Sequence, residues 1–257
     1  MPENLNNCRV IVTRPEHQSQ NLINLLQAQG AEAVQFPLLQ ISAIEESSSE
    51  FQRLKQKILD LDLFQHVIFI SPNAASFGYD WIDHYWPQLP IGIQWFAIGK
   101  KTAETLSNYG IDAYHSPLGY DSEALLLCPA LKKISGEKVL IMRGQGGRET
   151  LANELRARGA EVSYAELYIR SCPEYDNTTI VQTLDPAPDC ILFSSGAGLE
   201  NLVSLINRTT LSIDSIKNSH IIVPSDRINA AARAAGFKRI TTASGPDDQA
   251  MLQALMP

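Results

Sequence analysis

The chain has 257 residues, 44% of them hydrophobic and 19% charged, enough to bury one large core or two smaller ones. With 28 acidic against 21 basic residues the formal net charge is −7, which argues against general nucleic-acid binding, because neutralising phosphates needs a basic face. The four cysteines form no CxxC pair and do not cluster with the five histidines, no basic leader precedes a long apolar run, and no apolar segment has membrane length, so the expectation is a cytoplasmic protein with reduced thiols, no metal and no membrane contact.

The first predicted strand is "RVIVT", Arg9–Thr13, ending at Arg14-Pro15. A helix follows, with apolar residues at Leu22, Ile23, Leu25 and Leu26 and a stop at Gly30. "AEAVQFPLLQI" is a second extended stretch, and "EESSSEFQRLKQ" is a polar loop entering a helix. "VIFI" reads as a strand that turns at Ser71-Pro72-Asn73 into a helix carrying the aromatic cluster "YDWIDHYWP". "WFAI" turns at Gly99 to Thr102 into a helix that stops at Gly110. "KVLIM" leads through "RGQGGRE" into another helix, which stops at Gly159 before the extended "AELYIRS". "CILF" turns at Ser194, Ser195 and Gly196, and "IIVP" turns at Ser225-Asp226 into a helix ending at Gly236. The tail "TTASGPDDQAMLQALMP" reads as a loop and a last helix.

The second half repeats the first. Arg9–Ile41 laid over Lys138–Arg170 with a constant shift of 129 gives ten identities in 33 positions without a gap. "VIFISPNA" matches "CILFSSGA" at a shift of 123, and "WFAIGKKTAETLSNYG" matches "IIVPSDRINAAARAAG" at 126. Each half is therefore three strand–turn–helix units in one order. Alternating strands and helices imply α/β architecture with parallel sheets covered on both faces. The expected fold is two similar open parallel-sheet α/β domains. Ligands of such sheets bind at the C-terminal strand ends, and two facing sheets would enclose a cleft.

The turns at those ends are rich in Ser, Thr, Asn and Gly. Each residue has a purely structural use as a helix cap or tight turn. As a set they also suit an anion, since helix N-terminal amides and the positive end of the dipole stabilise negative charge without lysines. "RGQGGRE" lacks the GK[ST] ending of a Walker A loop, and its glycine spacing is not GxGxxG, so no nucleotide is implied. Arg143 and Arg148 suit carboxylates, or lie as solvated surface arginines. One asymmetry stands out in the repeat, where Leu39 corresponds to Tyr168. A phenol can donate a proton where leucine cannot; alternatively Tyr168 is a strand former with an exposed tip.

The ordered series "VTRPEHQSQNLINLLQAQGAEAVQFPLLQI", "VIFISPNAA", "FAIGKKTAETLSNYG", "AELYIRS" and "ILFSSGAG" resembles the uroporphyrinogen-III synthase family over essentially the whole chain. The resemblance implies domains of residues 1–37 plus 172–257 and of 38–171, joined by a two-stranded antiparallel linker. It implies hydroxymethylbilane, a linear tetrapyrrole with eight carboxylates, as substrate. The implied reaction is dehydration, inversion of ring D and closure, without a cofactor. Tyr168 matches the family's proposed proton donor. Thr102 matches a cleft threonine, Ser71 and Ser194 match serines at strand ends, and Arg14 lies in the "TRP" turn. With Pro72, Asn73, Arg143, Gly144, Ser195, Gly196 and Ser225 these are the expected substrate-binding residues; Ser225 stands where the second repeat lacks a counterpart of Thr102. The expected state is a monomer, with the upstream bilane-forming enzyme as a candidate partner. A non-catalytic two-lobed binder of a polyanion is the alternative, and a two-domain sugar-nucleotide transferase a weaker one.

Overall fold

A computed structural model describes residues 4–256. In chain order the elements are β1 (Arg9–Val12), α1 (Gln20–Ala28), β2 (Glu32–Gln35), β3 (Gln40–Ala43), α2 (Ser49–Leu59), β4 (His66–Phe69), α3 (Pro72–Tyr85), β5 (Gln94–Ala97), α4 (Lys100–Asn108) and α5 (Ser122–Leu125). Then come β6 (Lys138–Gly144), α6 (Thr150–Ala157), β7 (Glu161–Ser171), α7 (Asn177–Leu184), β8 (Cys190–Leu192), α8 (Gly196–Ile206), α9 (Ile213–Ile216), β9 (His220–Val223), α10 (Asp226–Ala234), β10 (Arg239–Thr242) and α11 (Asp248–Leu255). The chain divides into two compact units, one made of the segments up to Ile41 and from Ser171 onward, the other of Ser42–Arg170.

The first unit is built on a five-stranded sheet of order β10-β9-β8-β1-β2, with every neighbouring pair parallel. Its central strands are apolar on both faces, as a sheet covered on both sides requires. On one face Val10, Val12, Leu192 and Ile222 pack with Leu22 and Leu26 of α1 and with Met251 and Leu255 of α11. On the other, Ile11, Ile191, Ile221 and Val223 pack with Leu199 and Leu202 of α8 and Ile228 of α10. Leu26 is fully buried, so trimming it to Ala would cost about 2–5 kcal/mol.

The second unit carries a sheet of order β3-β7-β6-β4-β5, in which β7, β6, β4 and β5 run parallel. Ile68, Val139 and Ile141 pack there with Leu151 and Leu155 of α6. The sequence repeat is a structural one down to its helix ends. Gly30, at φ 86°, donates to Gln27 O at 2.9 Å while Ala31 donates to Leu26 O at 3.1 Å. Gly159, at φ 88°, donates to Arg156 O at 2.9 Å while Ala160 donates to Leu155 O at 3.1 Å. Both are Schellman stops, which need a left-handed residue and so select glycine. Among the described residues no helix is long and apolar enough to cross a membrane, and all four cysteines are free thiols.

Candidate active site

In the second unit, the segments that follow β4 and β5 and the end of β6 converge on a cavity of about 320 Å³. Ile70, Ile98, Ile141 and Leu151 supply its apolar lining; Asp121, Glu123, Arg143, Arg148, Tyr164 and Arg170 supply the polar part, with Gly146 and Gly147 between them. This is the C-terminal edge of a parallel sheet, where such folds bind ligands. Three arginines and two carboxylates, Asp121 and Glu123, therefore face the same cavity. Arg143 pairs with Glu149 at 3.2 Å. Among the described residues Arg148 and Arg170 have no carboxylate within 4.0 Å.

Tyr168 lies on β7 beside this cavity and is 0% exposed, which overturns the reading of an exposed tip. Its phenol oxygen sits 3.2 Å from Ser71 Oγ and accepts from Arg170 Nη2 at 3.1 Å. The ring packs on Phe77 with centroids 5.3 Å apart, and the Arg170 guanidinium lies 5.4 Å over it. Ser71 is the N-cap of α3, its Oγ accepting from Ala74 N–H at 3.1 Å, and it is partly exposed. Pro72 opens α3, where its missing N–H costs nothing. Asn73 follows it and is partly exposed.

Several expected ligands are occupied by their own surroundings. Arg143 is 3% exposed. Its guanidinium donates to Gly144 O at 3.2 Å, to Arg148 O at 3.5 Å and to Gly146 O, and it stacks on Tyr164 at 4.6 Å. It is a strut for the glycine turn. Gly144 is buried beneath the Tyr168 ring. Thr102, in the first turn of α4, is 2% exposed, with no surface hydroxyl to offer in this conformation. Tyr164 donates to Glu149; that hydrogen bond, with Arg143 and Arg156 nearby, holds the Glu149 carboxyl below the usual carboxylate range, while burial pushes the Tyr164 phenol up.

In the first unit Arg14, the repeat counterpart of Arg143, donates to Asp248 and, at 2.6 Å, to Pro246 O. Ser195 caps α8, its Oγ accepting from Gly198 N–H at 3.1 Å. The cap equivalent to Ser71 is thus Ser195, one residue later than the ungapped sequence match to Ser194. Ser194 and Gly196 flank it, partly exposed. Ser225 precedes α10 but makes no capping bond through its side chain. Another cavity, of about 310 Å³, opens among Cys8, Asp189, Cys190, Ser219, His220 and Arg239. It lies where strands begin, the end of a parallel sheet that ligands do not use.

Sequence reasoning missed Arg170, Tyr164 and Phe77. Arg170 was within reach of the period-2 rule, since Tyr168 and Arg170 must share a face of the strand. Phe77 and Tyr164 meet their partners only through tertiary packing.

Comparisons with known proteins bear on the whole length. The family model described as uroporphyrinogen-III synthase HemD matches residues 20–253. The uroporphyrinogen-III synthase of Salmonella typhimurium is 32% identical over 248 residues, 96% of this chain and 99% of the relative. That of Escherichia coli is 31% identical over 251 residues, covering 96% and 99%. Among solved structures, a mutant uroporphyrinogen III synthase from Thermus thermophilus superposes with a TM-score of 0.64 at 15% identity, covering 96% of this chain and 97% of that one. The Helicobacter pylori uroporphyrinogen-III synthetase gives 0.60 at 14% identity, covering 96% and 98%. These two likenesses speak for the fold, while the sequence matches carry the lineage: the chain belongs to the uroporphyrinogen-III synthase family.

Proposed function

We propose that this chain cyclises hydroxymethylbilane with loss of water and inversion of ring D, giving uroporphyrinogen III. The observation that carries the reading is the match of 31–32% identity across nearly the full length of two curated synthases. The domain reading is 1–37 with 172–257, and 38–171, joined by a two-stranded antiparallel linker; compact units that change over at Ile41/Ser42 and Arg170/Ser171 support it.

The chemistry follows from the substrate. The pyrrole nitrogen expels the hydroxyl of the terminal CH₂OH, leaving an electrophilic azafulvene. The departing oxygen needs a proton, so a positioned acid accelerates this step; Tyr168, buried next to the cavity, is the proposed source. The azafulvene is then attacked at the substituted carbon of ring D, and the resulting spiro intermediate fragments and recloses. Because the linear compound also closes spontaneously without inversion, the enzyme's main task is conformational. Carboxylate binding is assigned to the strand-end residues that are partly exposed: Ser71, Pro72 and Asn73 in one unit, and Ser194, Ser195, Gly196 and Ser225 in the other; Thr102 and Gly144 are buried, and Arg143 and Arg14 donate to protein carbonyls. Arg148 and Arg170, neither of them in an ion pair among the described residues, support a polycarboxylate as guest.

The test is an isomer assay on freshly made hydroxymethylbilane. The expected result is type III product at a rate proportional to protein. Type I alone, at the spontaneous rate, would overturn the reading and leave a non-catalytic binder.

A further inference from the structure

Tyr168 is 0% exposed, and a phenol sealed from the cavity cannot itself touch a departing hydroxyl. Its oxygen has two polar neighbours, Arg170 Nη2 at 3.1 Å and Ser71 Oγ at 3.2 Å. A guanidinium only donates, so Arg170 occupies an acceptor position of the phenol and orients its proton toward Ser71. Ser71 Oγ already accepts the Ala74 N–H at 3.1 Å. Accepting the phenol proton as well fills its second lone pair. Its own hydroxyl hydrogen then has no acceptor among these partners, and Ser71 is the partly exposed member of the pair.

The geometry points to Ser71 as the group that hands the proton to the leaving hydroxyl, with Tyr168 behind it as the reservoir and Arg170 as the positioning residue. This inference rests on the proposed reaction. Ser71 O–H breaks as the new O–H bond of water forms, the C–O bond of the substrate breaks, and Tyr168 O–H transfers to Ser71 Oγ in the same motion. The phenolate left behind faces the Arg170 cation. It recovers a proton when ring closure releases the hydrogen of the pyrrole α-carbon, so one proton is spent and one returned per turnover.

Ser71 also caps α3, so the test must separate hydroxyl from cap. Ser71→Asn keeps a strong capping oxygen but has no hydroxyl to pass a proton. Ser71→Thr keeps both. Steady-state kinetics with isomer separation, alongside thermal melting, should show Ser71→Asn melting with the wild type, kcat for type III down about 100-fold and KM within a few-fold, and Ser71→Thr retaining most of kcat. Ser71→Ala, corrected for its folded fraction, should lose kcat to the same extent. Wild-type kcat in folded Ser71→Asn or Ser71→Ala would overturn the relay. Absence of type III product from the unaltered chain would instead overturn the reaction itself, so the two failures are distinguishable.

Discussion

Gly144 and Tyr168 lie opposite one another in the parallel register of β6 and β7, and a Cβ at residue 144 would stand 2.4 Å from Cε2 of the phenol ring. The glycine in this turn is therefore small for the sake of a tyrosine, not for a phosphate. It also stands at the irregularity in the β6–β7 register, which shifts between Arg143 and Gly144. Gly144→Ala must push the ring off Ser71 or part the two strands. The expected cost is about 1–3 kcal/mol of stability together with loss of turnover. Gly136→Ala, at φ 79° with nothing within 4 Å of the added Cβ, strains the backbone alone. Melting and type III formation measured on both variants check this: Gly144→Ala alone should lose turnover in its folded fraction.

Tyr168→Phe removes one oxygen and keeps the packing on Phe77. Ser71 loses a hydrogen-bond partner, worth about 1 kcal/mol, and the melting temperature should fall by only a few degrees. Turnover should fall about 100-fold. Equal turnover in the variant and the unaltered chain would remove Tyr168 from the reaction.

Arg170 is exposed and meets no carboxylate of the described residues, so it contributes little to folding. Arg170→Gln should leave the melting temperature unchanged. It should lower kcat/KM for hydroxymethylbilane about 10- to 100-fold, the worth of one hydrogen bond to a charged group. The kcat part reports the oriented phenol and the KM part a substrate carboxylate.

Much of this was legible in the chain itself. Gly30 and Gly159 marked two helix stops, and the ungapped repeat around them fixed the order of strand, turn and helix. Apolar runs such as "VIFI" and "IIV" could only be strands covered on both faces. Sheet order was not legible, because periodicity says which face is buried and nothing about neighbours. At the site, residue type was readable but its use was not. Arg14 and Arg143 look alike as carboxylate ligands, yet Arg143 spends its donors on its own turn and Arg14 on Pro246 O and Asp248 at the start of α11. Thr102 and Tyr168 carry polar groups that sequence places at a surface and packing buries. The shift of the cap from Ser194 to Ser195 is a one-residue change in turn length that an ungapped match cannot register.

Arg143 permits a direct contest between two roles. As a substrate ligand, its loss would raise KM and leave stability alone. Its side chain is 4% exposed and holds three carbonyls of the turn, so we expect the opposite emphasis. Arg143→Gln withdraws the guanidinium from these carbonyls and from Glu149 and should cost about 1–3 kcal/mol in denaturant unfolding, with the midpoint lowered and the slope unchanged. An unchanged midpoint with a raised KM would return Arg143 to the substrate.

The same turn should make stability depend on acid. Glu149 accepts from Tyr164 and lies near Arg143 and Arg156, and these interactions, the Tyr164 bond foremost, hold its carboxyl below the usual carboxylate range. A carboxyl depressed on folding contributes stability that is present above its unfolded titration range and lost as pH falls through the folded one. Between about pH 5 and pH 2 the turn should therefore loosen. Tyr164→Phe removes the largest contributor and leaves the two arginines. The variant should lose less stability than the unaltered chain across that window while matching its slope near neutrality. Parallel melting curves across the whole range would show that the Tyr164–Glu149 bond does not set the titration of the turn.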